Sequence, residues 1–457
     1  MYVQCIERGR GRPRLIAWAA ALLAIAVAGV AGATAPTAKA ILPAGNAAEQ
    51  WNQIAEDTVV TSGAFQNEGL VYMAYATAAM YDAVAGLQGR YTPLEPPFRV
   101  YRKASPDAAV VEAGYRTLVN YFPAAAPKLD AFRAESLAAI PDGQAKLAGI
   151  RIGWVAANQL IRKRSGDGVT TPIATTSTFP TLSAGPGVWR LTPPFAPPQT
   201  PWVANVKPFI LDSVDRLMPP PPPALSSSTW VDSFNETKSM GEATSTARSA
   251  DQTAVARFWS ANVIRQYNRV GREIATARSL DVADAARFFA MIDVVAADAQ
   301  ISVMRAKYRY LFWRPVTAID PAAIKPGGDG FGAAAGVDDG NPATVEKSGW
   351  RPLLTTPNHP EYPAAHGSMT SAITQVLSTF LGTTAIDVQI HGFSATGAAG
   401  NLDAVRTFAT ADDLRTEIVN ARVWAGVHYR FSGEAGVALG RAVAQYDLAH
   451  AFGPRKR

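Results

Sequence analysis

Apolar residues recur mostly at three- and four-residue steps from Ala47 to about Leu87, through Trp51, Ile54, Val59, Met73, Ala76, Met80, Tyr81 and Val84. That period belongs to amphipathic helices, and the two-residue alternation of a half-buried strand is absent there. Residues 108–121, 126–139 and 144–164 repeat it, each rich in Ala and closed by Pro or Gly. From 165 to 225 the pattern stops, because Pro193, Pro194, Pro197, Pro198, Pro201, Pro208 and the run from Pro219 to Pro223 leave no room for a long helix. Phe179, Trp189, Phe195, Trp202, Phe209 and Ile210 make this stretch too apolar for a solvated tether. It is expected to be an ordered connection rather than an exposed polyproline ligand. Helical periodicity returns over 227–240, 251–277 and 281–312, with Asp281 near an N-terminus. A Gly/Asp loop at 321–349 follows, and then helices near 366–381, 411–424 and 433–451. The expected fold is all-α: two helical bundles, 41–165 and 226–457, joined by a Pro-rich crossing segment, 166–225.

Residues 1–40 follow another rule. Arg8, Arg10, Arg12 and Arg14 precede an apolar run from Leu15 to Ala33, and Ala38-Lys39-Ala40 offers small residues for cleavage, which is the pattern of an export signal. An uncleaved anchor is the alternative, since the run approaches the roughly 20 residues that span a bilayer. The expectation is a cleaved signal and a secreted or periplasmic protein.

The signal changes the meaning of the composition. A chain that is 48% hydrophobic and 18% charged is neither disordered nor fibrous. Its net charge of +6 would suggest an anionic polymer as partner. Five of the 43 basic residues and one of the 37 acidic ones lie in the first 40 positions, however, leaving 38 against 36. No charge argument for nucleic acid survives. Cys5, the one cysteine, leaves with the same segment, so disulfides, zinc–thiolate sites and cysteine nucleophiles are excluded from the mature chain.

All five histidines, His359, His366, His391, His428 and His450, lie beyond residue 358, so chemistry is expected there. Three stretches stand out. In Lys307-Tyr-Arg-Tyr-Leu-Phe-Trp-Arg314-Pro315, seven residues are close to two helical turns, which would put Lys307 and Arg314 on nearly one face of a helix end. Pro315 disfavours helix at Arg314, and so aromatic a segment is expected to be buried, where cations need an anion. In Pro360-Glu361-Tyr362-Pro363-Ala364-Ala365-His366, the histidine stands at a helix N-terminus, where free N–H groups and the helix dipole suit an oxyanion; a capping or packing histidine is the alternative. In Arg422-Val-Trp-Ala-Gly-Val-His428, six residues of continuous helix would put Arg422 and His428 about 120° apart. Convergence requires a break, which Gly426 permits, and Ser432 could cap the next helix.

Lys-x6-Arg-Pro, then Pro-x-x-His, then Arg-x5-His, in this order on a helical chain, resembles the vanadium-dependent haloperoxidase and type 2 phosphatidic acid phosphatase superfamily. Thr77-Ala-Ala-Met-Tyr-Asp-Ala-Val84, the 202–209 stretch and the Pro219–Pro223 run look like its larger bacterial haloperoxidase-like members. The resemblance implies that Lys307, Arg314 and Arg422 bind the equatorial oxygens of vanadate or phosphate. His366 would be the acid–base group near the apical oxygen, and His428 would bind vanadium or, in a phosphatase, attack phosphorus. Two departures stand out. Ala364-Ala365 replaces the usual Ser-Gly, which leaves Ala365 its backbone N–H as donor, and Ser432 replaces the Asp expected four residues after the last histidine, with Glu434 a possible substitute. His359, seven residues before His366, occupies a position where the resemblance implies bromide rather than chloride; a surface-loop histidine is the alternative. His391 and His450 are read as structural.

The function expected is therefore a vanadate-dependent haloperoxidase oxidising halide, bromide favoured, with hydrogen peroxide to hypohalous acid. A phosphomonoesterase acting on phosphate esters through the same pocket is the runner-up. A noncatalytic anion-binding helical protein is the third reading.

Overall fold

The computed structural model describes residues 40–95, 103–169, 185–320, 322, 338–394 and 402–455. The export-type segment with Cys5, Phe179 and most of the first half of the Gly/Asp loop lie outside the described residues. From Lys39 to Arg457 the chain forms one compact unit.

Several helices begin where a polar side chain can take up free backbone N–H groups. Asn46 accepts from the N–H of Ala48 and Glu49 and opens α1 (Ala47–Thr61), and Glu49 returns a bond to the N–H of Asn46. Gly89, in the left-handed conformation at φ 67°, ends α2 (Gln66–Gln88). Then come α3 (Pro106–Tyr121), α4 (Ala126–Ala138) and α5 (Gln144–Lys163). Beyond the Pro-rich stretch lie α6 (Ser228–Met240), α7 (Ala250–Phe258), α8 (Val263–Ala277), α9 (Val282–Tyr310), α10 (Pro315–Ile319) and α11 (Ala365–Leu381). The chain closes with α12 (Ala411–Trp424) and α13 (Arg430–His450). Asp281 caps α9 as expected, accepting from Ala283 and Asp284.

Three expectations need correction. Residues 251–277 form two helices, because the side chain of Asn262 accepts from the N–H of Ile264 and starts α8 afresh. An antiparallel pair, β1 (Ala385–Gly392) and β2 (Ala404–Thr410), interrupts the helices. Ile386, Val388 and Ile390 face the core on alternate positions, the period of two that marks a strand. Finally, α13 starts at Arg430 with Tyr429 at its cap position, so Ser432 lies inside the first turn and does not cap it.

The long α9 is buried along most of its length, with α2 beside it; their apolar faces join those of α1, α3, α8, α11, α12 and α13 in one core. Among the described residues, α2 is the one helix long and apolar enough to cross a bilayer, and here it is enclosed by protein. The Pro-rich stretch is held rather than tethered. Both carboxylate oxygens of Asp298 on α9 accept backbone N–H groups from Phe209, Ile210 and Leu211, and Trp189 and Trp202 are buried. The carbonyl of Pro220 accepts from the hydroxyl of Tyr362 at 2.8 Å, and that of Pro219 accepts from Tyr310.

Two helix crossings set the site. Gly436 and Gly440 let α13 press against α11 so closely that a Cβ would stand 2.3 Å from the carbonyl of Ala364 and 1.9 Å from that of Ser368. Gly426, at φ 74°, breaks the chain between α12 and α13 and lies against Gly241, whose carbonyl a Cβ would meet at 2.4 Å.

Candidate functional site

Lys307 lies in the last turn of α9 and is fully buried. The chain then reverses: Leu311 takes the left-handed conformation, and Arg314 is extended, at φ −82° and ψ 154°, immediately before Pro315 opens α10. The two cations therefore do not share a helix face; they converge across a turn. Arg314, also fully buried, donates from Nε to the carbonyl of His359 (2.9 Å) and from Nη1 to that of Val427 (2.8 Å). Its other contacts are to Nε2 of His428 (3.2 Å) and Nδ1 of His359 (3.0 Å). Lys307 donates Nζ to the carbonyls of Pro360 (2.9 Å) and Glu361 (2.8 Å), leaving one of its three donors over.

His366 is the second residue of α11, after Ala365. Ala364 stands at the cap position with no side-chain hydrogen bond to the first turn, so the N-terminal N–H groups there lack a capping acceptor. Arg422 ends α12, and the break at Gly426 turns His428 inward as the sequence required. Arg422 is 4% exposed, yet its Nε has no hydrogen-bond partner among the described residues. His359, Ala365, His366 and Arg422 line a cavity of about 340 Å³ together with Asn67 and Thr356. Trp230, Phe312, Trp313, Tyr429 and Phe431 form an aromatic cluster next to Arg314 and His428 in the chain. His391 and His450 lie elsewhere, on β1 and at the end of α13.

Sequence reasoning assigned no role to Glu361. This fully buried carboxylate receives Nδ1 of His428 at 2.7 Å on Oε1, which also accepts the N–H of Tyr429 at 3.1 Å. Glu434, the substitute expected for the missing Asp, is exposed on α13 and does not meet His428. An acidic residue between prolines with no basic neighbour in Pro360-Glu361-Tyr362-Pro363 was the available signal.

The electrostatics are those of unbalanced positive charge. Burial, and then Arg314 and Arg422, hold Lys307 well below the usual lysine range, opposed only by Glu361. Burial brings Arg314 down to about 10, and burial with Arg314 brings Arg422 down to about 9. Both guanidinium groups remain charged at neutral pH. Burial and the same cations push His359, His366 and His428 well below the ordinary imidazole value. Burial lifts Glu361 to about 7 against the pull of Lys307 and Arg314.

Such a cluster can hold an oxyanion. Buried cations cost free energy unless matched, and the donors here are spread over three elements facing one place. Among the described residues no three His, Cys, Asp or Glu side chains group to hold a metal cation. The orphaned Nε of Arg422, the spare donor of Lys307 and the uncapped start of α11 fit a tetrahedral or trigonal-bipyramidal anion such as vanadate.

The fold is helical and the site gathers buried cations, and comparison narrows the class. Residues 287–454 match the VCPO second helical-bundle domain. The vanadium chloroperoxidase of Curvularia inaequalis is 27% identical over a match covering 42% of this chain, and that match spans 38% of the relative's own length. A bacterial vanadium-dependent iodoperoxidase superimposes with a TM-score of 0.72 at 20% identity, over 91% of this chain and all of that one. A holo-type bacterial vanadium-dependent chloroperoxidase gives 0.65 at 18%, over 87% and 93%. Residues 287–454 thus resemble the second helical bundle of a vanadium chloroperoxidase, and the fold of the chain is the helical one of the bacterial vanadium haloperoxidases.

Proposed function

We propose that this protein is a vanadate-dependent haloperoxidase that uses hydrogen peroxide to oxidise a halide, bromide favoured, to hypohalous acid. The observation that carries the reading is the meeting of Lys307, Arg314 and Arg422 in a buried pocket where Glu361 is the one carboxylate acting on Lys307 and Arg314 among the described residues. A multiply charged oxyanion supplies the missing negative charge, and each charge-assisted hydrogen bond contributes about 1.5–3 kcal/mol. Vanadate bound there would supply Lewis-acid activation of peroxide.

The remaining chemistry is this chain's own. Lys307, Arg314 and Arg422 bind the anion's oxygens, and the backbone N–H of Ala365 adds a donor at the helix start. His428 presents Nε2 as the ligand nitrogen. His366, on the cavity wall, is neutral before the anion arrives and can take or return a proton at an imidazole nitrogen. The adjoining aromatic cluster limits water around Arg314 and His428. His359 shares the guanidinium of Arg314 and faces the cavity, which supports a part in halide choice. The export-type N-terminus supports work outside the cytoplasm.

The test is peroxide-dependent halogenation by the purified protein, with and without orthovanadate, against bromide, iodide and chloride. Bromination that requires vanadate and exceeds chlorination is expected. Halogenation indifferent to vanadate would overturn the reading, and chloride turnover equal to bromide turnover would remove the halide assignment.

A further inference from the structure

We propose that Glu361 positions His428, fixing its tautomer and direction so that Nε2 carries the free lone pair. The inference rests on the oxyanion reading of the pocket, but its geometry stands in the protein itself.

Glu361 is tied at every polar point it offers except Oε2. Its N–H donates to the carbonyl of Phe312 at 2.9 Å. Its own carbonyl accepts from Nζ of Lys307 at 2.8 Å and from the hydroxyl of Ser432 at 3.4 Å. Oε1 takes the N–H of Tyr429 and faces Nδ1 of His428 at 2.7 Å. One residue thus links the end of α9, the turn before Arg314 and the junction before α13.

The tautomer follows from two independent neighbours. Oε1 already accepts the N–H of Tyr429, and in its ionised form Glu361 can only accept, so Nδ1 carries the shared proton. On the other side of the ring, Nη1 of Arg314 stands 3.2 Å from Nε2, and a guanidinium can only donate. Nε2 must therefore be the unprotonated nitrogen. A ligating imidazole is generally held in this way by a partner on its other nitrogen. In this chain the partner has moved from the first turn of α13, where Ser432 stands, to the loop before α11. Ser432 still takes part, by holding the backbone of Glu361.

The test compares the full-length wild type with Glu361→Gln and Glu361→Ala. Long-range proton–nitrogen NMR on histidine-labelled protein reads the tautomer of His428 without any ligand, with the resonance assigned from His428→Ala. Equilibrium titration with orthovanadate reads the pocket. Wild type is expected to show the Nδ1–H tautomer with Nδ1–H strongly hydrogen-bonded, Glu361→Gln to keep that bond because its amide oxygen still accepts, and Glu361→Ala to lose it, leaving Arg314 alone to bias the ring. Vanadate affinity is expected to fall about 10- to 100-fold in Glu361→Ala and less in Glu361→Gln. The proposal is overturned if His428 stays in the Nδ1–H tautomer in Glu361→Ala with wild-type vanadate affinity. Should Glu361→Ala not fold, a His428 in Glu361→Gln whose ring nitrogens match neither the wild-type tautomer nor a bond to the amide oxygen overturns it equally. Wild type that binds no vanadate sinks the oxyanion reading, while the NMR comparison still decides the role of Glu361.

Discussion

Where α1 meets α8, Glu56 is buried between Arg265 at 3.0 Å and Arg272 at 2.8 Å, and Arg272 reaches on to Oδ1 of Asn52 at 2.7 Å. Asn52 donates to Asn268, which donates to Asp293 deep in the core. At the C-terminal end of α9, by contrast, Lys307, Arg314 and Arg422 are buried together, and among the described residues Glu361 is the one carboxylate acting on Lys307 and Arg314. Both regions take charge out of water. The first matches each charge within the protein and so builds architecture; the second leaves positive charge over, which is what binding an oxyanion requires. An uncompensated buried charge is better evidence of function than burial or charge alone.

Substitution should separate the two regions sharply. Arg272→Ala strips a partner from buried Glu56 and should lower unfolding free energy by about 3 kcal/mol, the low end for breaking a buried pair. Urea denaturation measures this, and vanadate affinity should stay as in wild type. A comparable loss of affinity would show that the regions are coupled. The next largest effect belongs to the ligand: orthovanadate at 100 times its dissociation constant should stabilise wild type by about 2.7 kcal/mol, read as a rise in melting temperature. Protection that persists in His428→Ala would place the anion elsewhere.

Arg422→Met should weaken vanadate binding by about 2 kcal/mol, while the vanadate-free protein keeps or gains stability because a like charge leaves the cluster. Calorimetry on both forms measures this. A destabilised vanadate-free protein would mean that Arg422 has a compensating partner after all. The last effect is a slope against pH and concerns Asp293, which burial raises to about 7. Its carboxyl stays protonated in the folded state where the unfolded chain has ionised. Its contribution is thus complete below about pH 4 and is lost as pH rises toward 7. Asp293→Asn should flatten stability against pH in that window by at most about 1.4 kcal/mol per pH unit. Parallel wild-type and mutant curves would refute the assignment.

Much of this was legible residue by residue. The cap at Asp281, the helix periods and the stop imposed by the prolines are local effects, set by backbone sterics and by apolar spacing. Lys307, Arg314, Ala365, His366, Arg422 and His428 were legible through their motifs, and Gly426 correctly announced the break that lets Arg422 and His428 converge. Other features were not legible. The alternation at Ile386, Val388 and Ile390 is short and needs β2 as a partner to become a strand. Glu361 and Glu434 are both acids near motif histidines, and spacing favoured the nearer one. Their separation depends on which face of α13 meets α11, and that is decided by Gly436 and Gly440.

By itself, then, the sequence determined the helical class, the near-neutral charge beyond its first 40 residues and the identity of the cations, since each follows from composition or from neighbours a few positions apart. Only the tertiary structure decided that Arg314 meets Lys307 across a turn rather than along a helix face, and that a loop glutamate orients His428. Those are distances between segments far apart in sequence, fixed by packing of helices that local propensity cannot specify.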